Sequence, residues 1–197
     1  MRMCESLCIV TTHETFIRSA TEVFHTFPTV QIVRTLPSNT SENIAYGIPT
    51  DVYGNIYWPR RFPDCQAHIY AHCGLPLRQG QTQWFRIENI ICVMSPCLPV
   101  GLFPYTEKEI KKRTSYRALY SMLMQIRQIE IFHPIKHIVV PALCCDPGGF
   151  DPELTSMQMC QAWRDYLRSK ADTVDRTHLL SEDSIRKQTS PDTSTQS

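Results

Sequence analysis

Residues 136–167 read KHIVVPALCCDPGGFDPELTSMQMCQAWRDYL, and this stretch decides the fold. His137 to Val140 is a short apolar run with β-branched members, the pattern of a buried strand. Pro141 to Phe150 carries Pro147, Gly148 and Gly149 and reads as a loop. Asp151, Pro152 and Glu153 then open a helix. Asp151 suits the N-cap, Pro152 the first turn, and Glu153 the positive end of the helix dipole. A strand that passes through glycines into a helix N-terminus can receive an anion, because backbone N–H groups point outward there. The same pattern also serves as an ordinary connection between a strand and a helix.

The chain upstream repeats the alternation. Ser6 to Thr11 is a first strand. His13 to Phe27 follows with Phe16, Ile17, Ala20, Val23, Phe24 and Phe27 at helical spacing, Thr12 as its cap and Pro28 as its stop. Val30 to Val33 is a second strand, so the chain opens strand, helix, strand. Leu36 to Asn43 is a polar turn, and Ile44 to Ile48 is a strand running into the turn formers of residues 49–55. Tyr57 to Pro63 is aromatic and basic, and the packing of an irregular loop is its simplest use. Asp64 to His72 suits a short helix. Gln83 to Ile87 and Ile90 to Met94 suit a hairpin turning at Glu88 and Asn89. Ser95 to Pro104 is a loop rich in proline, and Lys108 to Ile131 is the longest helical segment. From Lys170 the apolar residues thin out, so residues 1–169 read as one α/β domain and residues 170–197 as a disordered tail.

Composition narrows the function. The chain has 197 residues at net charge +1, with 42% hydrophobic and 20% charged residues, enough for one core. The near-neutral balance carries no signature of nucleic-acid binding. No apolar run reaches the roughly 20 residues of a membrane span, and the N-terminal MRMCESLCIVTTHE lacks the apolar length of a signal peptide. The cysteines number nine, an odd count, and several sit in apolar runs as small core hydrophobes, which favours a reduced, intracellular, cytoplasmic setting. No CxxC pair occurs, so no metal site is expected, and no cofactor either. Cys144 and Cys145 before a helix N-terminus invite comparison with an activated thiol, its base to come from His13, His68, His72, His133 or His137. Asp51 and Asp146 could form a carboxylate pair for acid–base work or a divalent cation. Both carboxylates are equally at home as solvated loop residues.

The order of these elements, with three loop signatures, resembles the macro domain, in the divergent branch found in phages and large DNA viruses. The resemblance covers most of residues 5–169. A family segment like A-L-V-S-P-A-N-S-F-G stands where this chain has Ala45-Tyr46-Gly47-Ile48-Pro49-Thr50-Asp51-Val52-Tyr53-Gly54. A middle segment like L-P-V-G-Q is similar to Leu75-Pro76-Leu77 with Gly80-Gln81. The strand after it, ending A-P-T in the family, is similar to Ile90 to Met94 with Ser95-Pro96. The family's P-G-L-G-T-G-V-G-G followed by D-P-E resembles Pro141 to Glu153.

The resemblance implies a three-layer α/β/α fold with a central mixed sheet, and binding of ADP-ribose or a related nucleotide at the strand ends. It implies that Gly148 and Gly149, with backbone amides from Cys144, Cys145 and Asp146, cradle the diphosphate. Pro49, Thr50, Tyr53 and Gly54 would face the distal ribose, with Tyr53 and Phe150 as walls and Asn39 in the place of an adenine partner. Asp51 would orient the attacking water in a hydrolytic version. Several departures change the chemistry: Asp51 stands where the family has a neutral asparagine, and none of Leu36 to Asn39 is the acid that many members use for adenine. Cys144 and Asp146 stand where the family has glycines. A carboxylate at Asp146 would repel a diphosphate by roughly 1 kcal/mol in water and more in a shielded cleft. These departures support an alternative: a degenerate macro fold kept as a non-catalytic scaffold for a protein partner.

Overall fold

β-branched and apolar runs become strands wherever helices can cover them. The computed structural model describes residues 4–36, 43–56, 63–78, 81–87, 90–98, 113–145 and 149–169. The strands are β1 (Ser6–Val10), β2 (Val30–Val33), β3 (Ile44–Thr50), β4 (Gln83–Ile87), β5 (Ile90–Pro96) and β6 (His137–Pro141). The helices are α1 (Glu14–Val23), α2 (Pro63–His72), α3 (Thr114–Ile129) and α4 (residues 152–169).

The strands form one six-stranded sheet in the order β2-β1-β6-β3-β5-β4. All neighbours run parallel except β4, which is antiparallel to β5. β6 lies between β1 and β3, so residues 136–167 supply a central strand. Parallel strands buried on both faces need apolar residues at every position, which explains the unbroken runs in β1, β3 and β6.

One core layer lies between the sheet and α1, α3 and α4. It gathers Leu7, Ile9, Ile138 and Val140 from the strands. Against them pack Phe16 and Ala20 of α1, Leu119, Met122 and Leu123 of α3, and Trp163 and Tyr166 of α4. Each of those side chains is placed by helical spacing, and full burial of Trp163 or Tyr166 contributes about 2 kcal/mol. The other face carries Cys8, Tyr46, Ile48, Phe85 and Met94 against Cys65 and Ile69 of α2 and Leu77. The arrangement is a mixed α/β fold with helices on both faces of a central sheet.

Several boundaries differ from the sequence reading. α1 stops at Val23 rather than Phe27, because the Phe27 N–H turns back to Phe24 O at 2.8 Å and the chain bends into β2. Thr11, not Thr12, serves the entry to α1: its Oγ1 accepts the His13 N–H at 3.1 Å. β3 and β5 each run two residues further than read, because their parallel register extends from Ala45↔Ile91 to Thr50↔Pro96. Proline is accepted near these strand ends, where a missing N–H costs the ladder least. α3 ends at Ile129, leaving Ile131 outside the helix. Its expected start at Lys108, the turn at Glu88 and Asn89, and the tail from Lys170 lie outside the described residues.

α3 begins without help from its own sequence. Arg113, at its N-cap, has φ 56° and makes no side-chain cap. Gln158 of α4 supplies the acceptor instead, its Oε1 taking the N–H groups of Ser115 at 3.1 Å and Tyr116 at 3.3 Å. The Tyr116 hydroxyl donates to Asp165 Oδ2 at 3.0 Å, and Ser19 Oγ meets Ser156 Oγ at 2.6 Å. α4 is therefore tied to both of its helical neighbours, and its N-terminus is held in place at the edge where β6 ends.

Candidate functional site at the strand ends

The parallel strands β1, β6, β3 and β5 end on one edge, where ligands of open α/β sheets are received. Recorded pairing between β3 and β6 stops at Tyr46↔Val139, although β3 continues to Thr50 and β6 to Pro141. Two segments leave this edge beside each other: residues 51–56 after β3, and residues 142–145 with 149–151 after β6.

The first loop is built around Asp51. Its carboxylate is 1% exposed. Oδ1 accepts the N–H groups of Tyr53 and Asn55, both at 2.9 Å, and Oδ2 accepts Asn55 Nδ2 at 2.7 Å. The backbone closes the same ring, with Asp51 N–H to Asn55 O and Gly54 N–H to Asp51 O at 3.1 Å each. This is the turn chemistry that short carboxylates make with backbone N–H groups just ahead of them. Gly54 has φ +79°, and a Cβ there would come within 2.7 Å of Ile69 Cγ2, so only glycine fits. Gln66 of α2 clamps the loop from outside: its Nε2 donates to Gly54 O and its Oε1 accepts the Ile56 N–H, each at 2.8 Å. The Tyr70 hydroxyl donates to Asn55 Oδ1. Tyr53 is exposed at the loop's surface.

Pro49 and Thr50, expected in this loop, belong to β3 and are buried. Thr50 O accepts the N–H groups of Cys97 and Leu98, both at 2.9 Å, which binds the end of β3 to the end of β5.

The second loop is held from within. Cys145 N–H donates to Ala142 O, Gly149 N–H to Cys145 O, and Phe150 N–H to Cys144 O. Cys144 takes φ +70°, unusual for a residue with a side chain, and its buried thiol donates to Cys97 O at 3.3 Å. A thiol that donates its proton is not a thiolate, so Cys144 stands as a structural group. The hydrogen bond with the Cys144 side chain first, and burial second, hold the Cys97 thiol well above its ordinary pKa. Cys145 and Phe150 are buried. Gly149 has φ +66° and is exposed, with no atom within 4 Å of an added Cβ. Asp151 caps α4 as read, Oδ1 accepting the Leu154 N–H at 2.8 Å. Asn39, Asp146 and Gly148 lie outside the described residues.

The histidines considered as bases are scattered. His137 meets Ser6 Oγ at 2.6 Å on the opposite edge, where β6 begins. His133 stands edge-on to Trp84, and His68 stacks on Phe85 beside His72. Of the five, only His13 follows a strand that ends at the site. Among the described residues, no group of three or more His, Cys, Asp and Glu side chains could hold a metal ion, and none of the helices is long and apolar enough to cross a membrane. No disulfide joins any of the nine cysteines.

Sequence reasoning did not single out Gln66, Cys97 or Gln158. Each acts across the fold on a backbone group that only the tertiary structure brings near. No protein-family model and no curated protein matches the sequence.

Proposed function

We propose that the edge between residues 51–56 and the segments 142–145 and 149–151 receives ADP-ribose or a related nucleotide, as the resemblance to macro domains implies. The observation that carries this reading is Gly149. Its backbone is exposed one turn before α4, in the left-handed region, and among the described residues beyond its chain neighbours no atom stands within 4 Å of where a side chain would project. A diphosphate could approach the backbone closely at this glycine, and the positive end of α4 favours its charge. Tyr53, exposed on the neighbouring loop, offers a face for a ribose or base. In this reading the ligand is held by backbone and aromatic groups, and Asp51 shapes the loop.

The test is calorimetric titration of the full chain with ADP-ribose, with ADP and NAD as comparators. Micromolar binding that Gly149→Glu weakens at least tenfold is expected. No heat at millimolar ligand, from protein that melts cooperatively, rejects it.

A second reading is favoured by Asp51 and Cys144. The Asp51 carboxylate is fully engaged by its own loop, and Cys144 puts a side chain where close approach needs none. On that reading the domain is a non-catalytic scaffold for a protein partner, and the titration is silent.

A further inference from the structure

Cys65 of α2 and Cys92 of β5 lie 27 positions apart in the chain, and their sulfurs meet at 4.0 Å within the core of the α2 face. Neither residue is more than 1% exposed. A disulfide needs about 2 Å between sulfurs, so each has to move about 1 Å, within reach of a modest side-chain torsion. The contact with Cys65 first, and burial second, push the Cys92 thiol up, so this sulfur is inert while α2 stays closed. Among the described residues α2 is the only helix on this face, and of its described side chains only Cys65 and Ile69 are buried. A short helix held by so few apolar contacts opens locally more readily than the rest of a fold.

What α2 carries gives its closure a consequence. Gln66, the residue after Cys65, holds Gly54 O and the Ile56 N–H at 2.8 Å each. Tyr70, one turn further on, donates to Asn55 Oδ1. A bond from Cys65 to β5 therefore fastens to the sheet the clamp that holds residues 51–56.

We propose that Cys65 and Cys92 form a reversible disulfide when the protein meets a hydroperoxide, and that this bond locks α2, and through Gln66 the loop of residues 51–56, against β5. With hydrogen peroxide as oxidant, opening of α2 lets one thiol lose its proton, and its sulfur attacks a peroxide oxygen. The O–O bond breaks, and the departing hydroxide takes up that proton and leaves as water. The sulfenic acid so formed meets the second thiol as α2 closes. The second sulfur attacks it, the S–OH bond breaks, and the hydroxide leaves as water with the second thiol's proton. Two thiols lose two electrons, and one peroxide becomes two waters. A dithiol reductant reverses the bond by exchange. Cys97 and Cys144 are the competing pair, but there the Cys144 thiol is turned to the Cys97 carbonyl oxygen. The inference does not rest on the nucleotide reading, since α2 clamps its loop whatever the strand ends receive.

The test treats the reduced full chain with hydrogen peroxide, alkylates the remaining thiols in denaturant, and maps the peptides by mass spectrometry. A peptide pair linked through Cys65 and Cys92, and released by dithiothreitol, is the expected major disulfide product. Hydrogen exchange of the oxidised chain should show the Tyr53 and Asn55 amides slowed at least about fivefold. Cys65→Ala and Cys92→Ala should each abolish both effects, and Cys73→Ala should leave both in place. Should Cys92→Ala fail to melt cooperatively, Cys92→Val replaces it. A cooperatively folded chain that yields no Cys65–Cys92 link overturns the proposal. So does a link between Cys97 and Cys144 in its place, or a Cys65–Cys92 link that leaves exchange in residues 51–56 unchanged.

Discussion

The thiol of Cys144 donates a hydrogen bond to the backbone carbonyl of Cys97 across 3.3 Å, tying the loop after β6 to the end of β5. Cys144 does so from φ +70°, a conformation that costs a residue with a side chain about 1 kcal/mol or more. Two substitutions separate the thiol from the backbone. Cys144→Ala removes the hydrogen bond and keeps the unfavourable φ, and should cost about 2 kcal/mol. Cys144→Gly removes the same bond and a little more volume but relaxes the backbone. The usual order, in which alanine outranks glycine, should therefore be reversed here. Urea unfolding of the two variants measures it, and an alanine variant more stable than the glycine variant would show that the φ is not strained. Where the nucleotide reading holds, Cys144→Gly should also tighten ADP-ribose binding by reopening the loop.

The Asp51 carboxylate organises residues 51–56, and its substitutions should read out on stability first. Cys97 and Leu98 hang from Thr50 O next to it, so disorder here spreads to the end of β5. Asp51→Ala leaves the N–H groups of Tyr53 and Asn55 without their acceptor and should cost about 3 kcal/mol. Asp51→Asn keeps Oδ1 in place. Its new amide can be met if Asn55 turns over, because the Tyr70 hydroxyl that donates to Asn55 Oδ1 can also accept. That variant should lose no more than about 1 kcal/mol. A hydrolytic role for Asp51 makes the opposite demand, with the fold unchanged in Asp51→Ala and ADP-ribosyl turnover abolished. Denaturant melts alongside a turnover assay distinguish the two.

Some of this was written locally and some was not. The strands were legible because a sheet covered on both faces needs apolar runs, and β1, β2 and β4 lie within a residue of their sequence reading. Pro49, Ser95 and Pro96 carry a loop signal because proline marks a turn in isolation, whereas here the β3–β5 register carries the chain through them. The Asp151 cap was legible because it acts three residues ahead. The capping of α3 by Gln158 was not, since donor and acceptor lie 43 residues apart. At the site, the loop positions could be placed from turn formers, but nothing in the sequence told that Asp51 faces its own backbone.

Tyr116 and Asp165 join α3 to α4 and should give the protein a measurable response at both ends of the pH scale. Burial pushes the Asp165 carboxyl up, but the hydrogen bonds from Gln161 and Tyr116, aided by the charges of Arg168 and Arg113, outweigh it and hold the carboxyl below its ordinary range. A depressed carboxyl stabilises the fold above its unfolded pKa, and the contribution is lost as pH falls through the folded value. Burial first, and the Asp165 carboxylate second, raise the Tyr116 hydroxyl above its ordinary pKa. That contribution is present below the unfolded pKa and is lost as pH rises through the folded one. Tyr116→Phe should remove the shared bond, cost about 1 kcal/mol at neutral pH after allowance for solvent screening, and flatten both limbs. Carbon-detected NMR titration of Asp165 should show its pKa moving up in the variant; an unmoved Asp165 would mean that Gln161 alone sets it.

Gly54 and Gly149 share a positive φ and differ in what surrounds them, which makes them a matched pair. Alanine at either position meets the left-handed backbone penalty of about 1 kcal/mol. At Gly54 the new Cβ also runs into Ile69 Cγ2 at 2.7 Å and both Leu75 methyls at 3.1 Å. Ile69 is fully buried, so it cannot move aside without disturbing the α2 face. Gly54→Ala should therefore cost about 3 kcal/mol in total. At Gly149 nothing stands within 4 Å, and the backbone penalty should be the whole effect. The two variants also divide the functional readings. If the strand-end site takes a nucleotide, Gly149→Ala should weaken ADP-ribose binding severalfold while the fold stays nearly as stable. Urea unfolding and calorimetric titration on the same preparations decide it. Equal destabilisation of the two variants would show that crowding around Gly54 relaxes freely. Unchanged affinity in Gly149→Ala would remove this glycine from the binding surface.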